Sequence, residues 1–479
     1  MTVAETAARV RLPGQVSVVN VGLPLFADAI ERQGRPVMRV DWRIPGGGDK
    51  NVVAALRRLY GPHTEKIDAA NAEVFQRLDR GAPQLVGVRT AGEVIPVLSQ
   101  DRVLLHCGPR ISIEDTSDPL RRSMRAAICA EGWAPSPEKA DALLRDGAVR
   151  LEPANEHGVV VPMATAMGPA TPVWAVELAD AGIRTYAPIG QGSGDVAWFG
   201  RDTPGAIARL ILLQEAVGPV LAGAVERYGP IDVMALAAQA IAMGDDVHVR
   251  TQAATNLLLR NLLPELVASD HPRRVEVAAF LSGNHLLFLT LAMAAARALT
   301  TWAGQVENSS IVGGMARNGT DFAAWLTGPS AEWFVAPAPM VGRALYKPGR
   351  TAADAAPDIG DSSVLELVGL GGAAAAGSPA VAQIVGGTMA HAAVLTEQLD
   401  EVCVGNSSRF MIPFWGMKGS PVGVDVRKVV EFGLTPQVTT GILHNADGSG
   451  QVGAGVAEAP IQVFIDALLA LDARLTGQA

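Results

Sequence analysis

The side chains suited to proton transfer are few, with eight histidines in 479 residues. One stands in Met243-Gly-Asp245-Asp246-Val-His248-Val-Arg250, at the edge of an otherwise apolar helical pattern. If the helix runs through, Asp245 and His248 lie three apart on one face. Such a pair can act as acid and base or supply two metal ligands. No third ligand is evident at metal spacing, so no metal site is assigned. The plainer alternative is a solvated helix end with Asp246 and Arg250 as a surface ion pair.

A second carboxylate, Glu366, sits in the apolar run of residues 357–377, after an acidic loop that holds Asp358, Asp361, Ser362 and Ser363. Ser363-x-x-Glu366 has the spacing of a capping box at a helix start. Gly369, Gly371 and Gly372 remove side-chain bulk, so a ligand or another backbone can come close. A helix start contributes roughly 0.3–1 kcal/mol to an anion, whereas millimolar binding needs about 4 kcal/mol. The loop therefore needs partners. Residues 308–322 offer Ser310, Gly313, Gly314, Arg317 and Asn318. A guanidinium can grip phosphate or carboxylate bidentately, with backbone amides helping at the glycines; alternatively, Arg317 in a strand-turn-strand neutralises nearby carboxylates. Arg427, His444 and Gln451 add polar groups among short C-terminal strands and glycines. Gly190-Gln-Gly192-Ser-Gly194 is a permissive loop that can cradle phosphate or simply turn.

These residues must be held by a large, well-buried frame. A chain with 49% hydrophobic and 18% charged residues has the composition of a globular protein of several domains. Its net charge of -9 and 5% aromatic content exclude general attraction to nucleic acid or anionic membranes. Apolar runs such as residues 286–296 are short for a bilayer span, the N-terminus has no signal-peptide pattern, and three cysteines form no disulfide framework. A cytoplasmic protein is expected.

Residues 15–44 read as strand, helix, strand, with Asp41 near the end of the second strand. The turn Asn20-Val-Gly22-Leu-Pro24 lacks the G-x-G-x-x-G of a dinucleotide site, so no nucleotide cofactor is expected. Residues 51–80 and 110–147 read as mostly helical, and 102–108 as a buried strand. Its His106 and Cys107 point to opposite faces, which makes Cys107 packing. Residues 203–302 have the spacing of bundle helices.

Several blocks together carry a resemblance: LLHCGP at 104–109, QAIAMGDDVHVR at 239–250, MARNG at 315–319, PDIGDSSVLELVGLGGAA at 357–374, VDVRKVVEFGLTP at 424–436 and TGILHNADGSGQVGAG at 440–455. The chain resembles the YlbE/AllG-like family. The resemblance implies a subunit of an oxamate carbamoyltransferase of allantoin catabolism, which interconverts oxalurate plus phosphate with oxamate plus carbamoyl phosphate. It also implies an oligomeric assembly with FdrA-like and other subunits. One departure stands out: where relatives carry an Asn-Glu-Gly-x-Gly-Lys type of loop, this chain ends its glycine loop in Asp195.

The expectations are therefore these. The fold is multidomain α/β: an N-terminal Rossmann-like domain over 1–148, a mixed α/β core over 149–202 and 303–479, and an inserted helical domain over 203–302. The function is carbamoyl transfer on a ureido acid, the alternatives being a non-catalytic scaffold subunit or a ureido or cyclic-amide hydrolase. Asp245, His248, Glu366 and His444 are the candidate acid/base groups. Ser310, Arg317, Asn318, Asp358, Asp361, Ser362, Gly371, Gly372, Arg427 and Gln451 are the candidate substrate and anion binders. No metal and no cofactor is expected.

Overall fold

A computed structural model describes residues 17–40, 44–328 and 332–477; Asp41 lies outside them. The architecture is mixed α/β with several small sheets. Strands Val18–Val21 and Val37–Val40 pair in parallel across helix Pro24–Glu31, as the strand-helix-strand pattern requires. The sheet does not continue from there. Strand Gln84–Thr90 instead pairs antiparallel with Pro172–Leu178 and Ile231–Asp232, and Val103–His106 pairs with Arg150–Pro153 and Ala166–Met167. These partners come from beyond residue 148, so the first 148 residues do not close a doubly wound sheet of their own.

The central helix is Leu287–Ala303. It is apolar on nearly every side and buried along almost its whole length, the pattern of a helix with protein all round it. It packs against Pro172–Leu178 and Ile183–Pro188. Each fully buried leucine there contributes about 1.5–3 kcal/mol. The helical run Pro204–Tyr228 is long and apolar enough to cross a membrane by length and composition. Its second half packs on strand Gln84–Thr90 and helix Gln252–Val267, so its apolar surface has protein partners.

Two antiparallel sheets frame the candidate site. Val312–Asn318 lies between Asp321–Leu326 and the short strand Ile359–Gly360. Gln437–Leu443 pairs with Gln451–Glu458. Helix Val233–Ala242 is capped at its start by Asp232, whose carboxylate accepts from Ala235 N at 2.9 Å. It stops at Ala242, because Gly244 turns the chain at φ +95°. Asp245 and His248 therefore lie in a loop, not on the helix face that their spacing suggested.

Candidate functional site

Loop 243–251 is built by its own carboxylates. Asp246 is fully buried and accepts from the amides of Val249 at 3.2 Å and Arg250 at 2.9 Å. Asp245 accepts from Ala254 N at 2.9 Å, tying the loop to helix Gln252–Val267, and Arg250 approaches its other oxygen at 3.3 Å. Burial pushes the Asp245 carboxyl up to about 6 and raises Asp246 as well. This tight winding leaves Val247 at φ +63°, a costly conformation for a β-branched residue. Strain of this type costs about 1–3 kcal/mol and concentrates at functional sites.

The loop presents His248 to Glu366 from 118 residues away. His248 Nδ1 lies 2.8 Å from Glu366 Oε1, and both side chains are nearly or wholly buried. The same oxygen receives Gly372 N at 3.1 Å and Thr439 N at 3.3 Å. Glu366 Oε2 has no hydrogen-bond partner among the described residues. A carboxylate oxygen that gathers donors fixes the ring with its proton on Nδ1, which leaves Nε2 as the lone-pair nitrogen. The capping box does not form: Ser363 Oγ donates to Met315 O at 2.8 Å, and Glu366 serves the histidine instead. Gly371 explains the close packing. A Cβ there would fall 2.2 Å from Glu366 Oε1 and 3.0 Å from His248 Nδ1, and its φ is +60°.

His248 lines a cavity with about 610 Å³ of empty space, shared with Ser193, Trp198, His285, Ser362 and Gln451. Met163, Phe199 and Leu289 supply apolar wall. Met163 is itself held at φ +49°. Among the described residues the buried Trp198 indole N–H has no partner, an unused donor on a ring that borders the cavity. Burial lowers the His285 ring from its ordinary range, which favours the neutral form.

The other expected residues hold this arrangement from behind. Arg317 is fully buried and engages Asp358 bidentately at 2.8 and 3.0 Å, while its third nitrogen donates to Gly360 O. It is the neutralising arginine, with no arm left for a ligand anion. Thr440 Oγ1 adds a bond to Asp358 at 3.0 Å. Thr439 and Thr440, adjacent on one strand, thus face the dyad and the ion pair on opposite sides. Asp361 accepts from Gly108 N at 2.8 Å and Val161 N at 3.0 Å, pinning the segments that carry Ser362 and Met163. Burial pushes its carboxyl up to about 7. Asn318 shapes the turn at Thr320 and Asp321 and donates to Pro109 O. Cys107 is buried and its thiol is pushed up by desolvation, so it packs inertly.

Two expected binders lie in a different network. Ser310 accepts from Asn71, which also reaches Asp425, and Arg427 is paired with Asp425 and Asp68 beside the Tyr60 ring. His444 Nδ1 accepts the amides of Ala446 and Asp447 at 3.2 Å each, which closes a turn. The structure thus gathers His248, Glu366, Ser362, Gly371, Gly372 and Gln451, and sets Ser310, Arg427 and His444 apart. Sequence reading missed His285 and Trp198, while Ser193 lies in the glycine loop that it named. The available signals were the Gly283-Asn-His285 break between apolar helices and an aromatic pair directly after the glycine loop.

Residues 149–362 match the family model described as oxamate carbamoyltransferase subunit AllG. The oxamate carbamoyltransferase subunit AllG of Escherichia coli (strain K12) is 36% identical over 409 residues, covering 85% of this chain and 97% of that protein. The uncharacterized protein YahG of the same strain is 31% identical over 457 residues, covering 95% and 96%. A crystal structure of a conserved protein of unknown function from Enterococcus faecalis V583 superposes with a TM-score of 0.83 at 34% identity, over 86% of this chain and 98% of that one. Identity at this level across nearly the whole of the first relative means that this chain belongs to the AllG family.

Proposed function

We propose that this chain is a carbamoyltransferase subunit and that the His248 cavity is its site of proton transfer. The reaction proposed is exchange of a carbamoyl group between a ureido acid and phosphate, with oxamate and carbamoyl phosphate as the other pair. The observation that carries the reading is the buried His248–Glu366 dyad on a cavity wall with Ser362 and Gln451. In the direction of oxamate carbamoylation, the amide nitrogen attacks the carbonyl carbon of carbamoyl phosphate. His248 Nε2 takes the proton that this nitrogen loses, the C–O bond to phosphate breaks, and phosphate departs. In the reverse direction, phosphate oxygen attacks the ureido carbon, and the same imidazolium returns a proton to the departing nitrogen. Glu366 holds the ring in the required tautomer and stabilises its charged form, which is the task of a carboxylate behind a histidine base. The free Trp198 N–H and the Ser362 hydroxyl are the donors proposed for the carbonyl oxygen, where negative charge collects.

Among the described residues no Arg or Lys lines this cavity, although both substrates are anions, so their cations are proposed to come from beyond its wall, on this chain or on other subunits, FdrA-like ones included. A non-catalytic scaffold is the competing reading. Carbamoylation of oxamate by the reconstituted assembly, with His248→Gln on this chain alone, separates them. A loss of 100-fold or more is expected of the proton-transfer site, and an unchanged rate means the chemistry lies on a partner.

A further inference from the structure

The missing cation stands next door. A second cavity, with about 680 Å³ of empty space, is lined by Gly192, Ser193, Arg209, Phe280 and Asn284. Ser193 borders both cavities, and Asn284 precedes the His285 that lines the first. Arg209 sits on helix Pro204–Leu212 with its guanidinium 5.2 Å from the Phe280 ring and one nitrogen donating to Gln191 O at 3.0 Å. Among the described residues it has no carboxylate partner. The glycine loop is braced on the other side, where Asn284 Nδ2 donates to Gly190 O at 2.8 Å. Among the described residues the amides of Gln191, Gly192 and Ser193 donate to no protein acceptor, although Gln191 and Gly192 are buried. In these trans peptides the N–H groups of Gln191 and Gly192 point away from Asn284 and Arg209, which hold the carbonyls of Gly190 and Gln191, so the donors on this wall are the Arg209 guanidinium and Ser193. The nearby acids are already occupied. Asp195 pairs with Arg201 and accepts from Thr203, and Glu276, which also borders the cavity, is held bidentately by Arg273.

We infer that Arg209 and Ser193 form a phosphate subsite, which meets the His248 cavity at Ser193. The inference rests on the carbamoyl-transfer reading for its choice of phosphate, and it places the phosphoryl end of the substrate apart from the proton-transfer histidine. Gly192 is required for its backbone: a Cβ there would lie 3.5 Å from Arg209 Nη1 in a conformation that side chains rarely adopt.

Calorimetric titration of the full chain with inorganic phosphate tests it, with oxamate titrated in parallel. Wild type should bind phosphate, Arg209→Gln should weaken it about ten- to a hundredfold, and Arg209→Lys should retain part of the affinity. Oxamate affinity should be unchanged. If Arg209→Gln does not fold by circular dichroism, Gly192→Ala carries the same expectation. Phosphate bound equally by wild type and a folded variant overturns the subsite but leaves the carbamoyl-transfer reading intact. No phosphate binding to wild type also overturns it, while the reading on which it rests stands or falls with the His248→Gln rate in the reconstituted assembly.

Discussion

Replacing Glu366 by Gln is the most informative single perturbation of the dyad. The change keeps shape and volume and can keep an acceptor oxygen for His248 Nδ1 at 2.8 Å, Gly372 N at 3.1 Å and Thr439 N at 3.3 Å. What it removes is charge. A hydrogen bond to a charged group is worth about 1.5–3 kcal/mol and a neutral one about 0.5–1.5 kcal/mol, so the imidazolium formed during transfer loses about 1–1.5 kcal/mol. That sets a floor of about fivefold on the rate. If the amide turns to donate, the tautomer is wrong and the loss approaches the whole general-base contribution, about 10²–10⁴. The new NH₂ occupies the Oε2 position, which among the described residues has no partner in wild type either, so one unpaired buried polar group replaces another and stability should change little. The assay is kcat and KM for oxamate carbamoylation in the assembled enzyme, with urea unfolding of the chain alongside. Loss should fall on kcat, and Glu366→Gln added to His248→Gln should cost little more, because the two act as a unit. A folded Glu366→Gln variant within twofold of wild type, or one whose effect multiplies with that of His248→Gln, refutes the dyad.

Gly371→Ala should both destabilise the chain by about 1–3 kcal/mol and abolish turnover, since the new Cβ falls on Glu366; denaturant midpoints and activity should move together. Arg317→Met leaves Asp358 buried without its partner and should cost about 3–5 kcal/mol of stability. Any variant that still folds should bind phosphate with unchanged affinity by calorimetry. Asp361 is raised in the fold from 3.8 to about 7, so the native state holds its proton where the unfolded chain has released it. Its contribution to stability is therefore present below about pH 4 and declines as pH rises toward about 7. Unfolding free energy measured across that window should fall less steeply for Asp361→Asn than for wild type.

Local features of this fold were readable in the sequence, and its long-range pairings were not. The strand-helix-strand start and the glycine turns follow from side-chain pattern and backbone freedom, whereas the capping box read at Ser363 and Glu366 does not form. Nothing local marks Gln84–Thr90 as the antiparallel partner of Pro172–Leu178, since alternation fixes a face but not a neighbour. His248 and Glu366 were both candidates, yet their contact spans 118 residues and has no periodicity to betray it. The assumed helical pairing of Asp245 with His248 failed at Gly244, whose positive φ ends the helix one turn early. Arg317 shows the limit of residue type as a guide. An arginine beside glycines suits an anion clamp and a buried counter-ion equally, and only the placement of Asp358 decides. The cation next to the cavity, Arg209, sits inside an unremarkable apolar helix and becomes visible only when that helix is laid against the glycine loop.

The account stands most directly on His248. Single-turnover carbamoylation of oxamate by the assembled enzyme, wild type against His248→Gln in this chain, measures the proton-transfer step without product release. A fall of about 10²–10⁴ in that rate is expected, with carbamoyl phosphate affinity retained. A variant that folds, assembles and turns over within tenfold of wild type would contradict the claim that this cavity performs the chemistry.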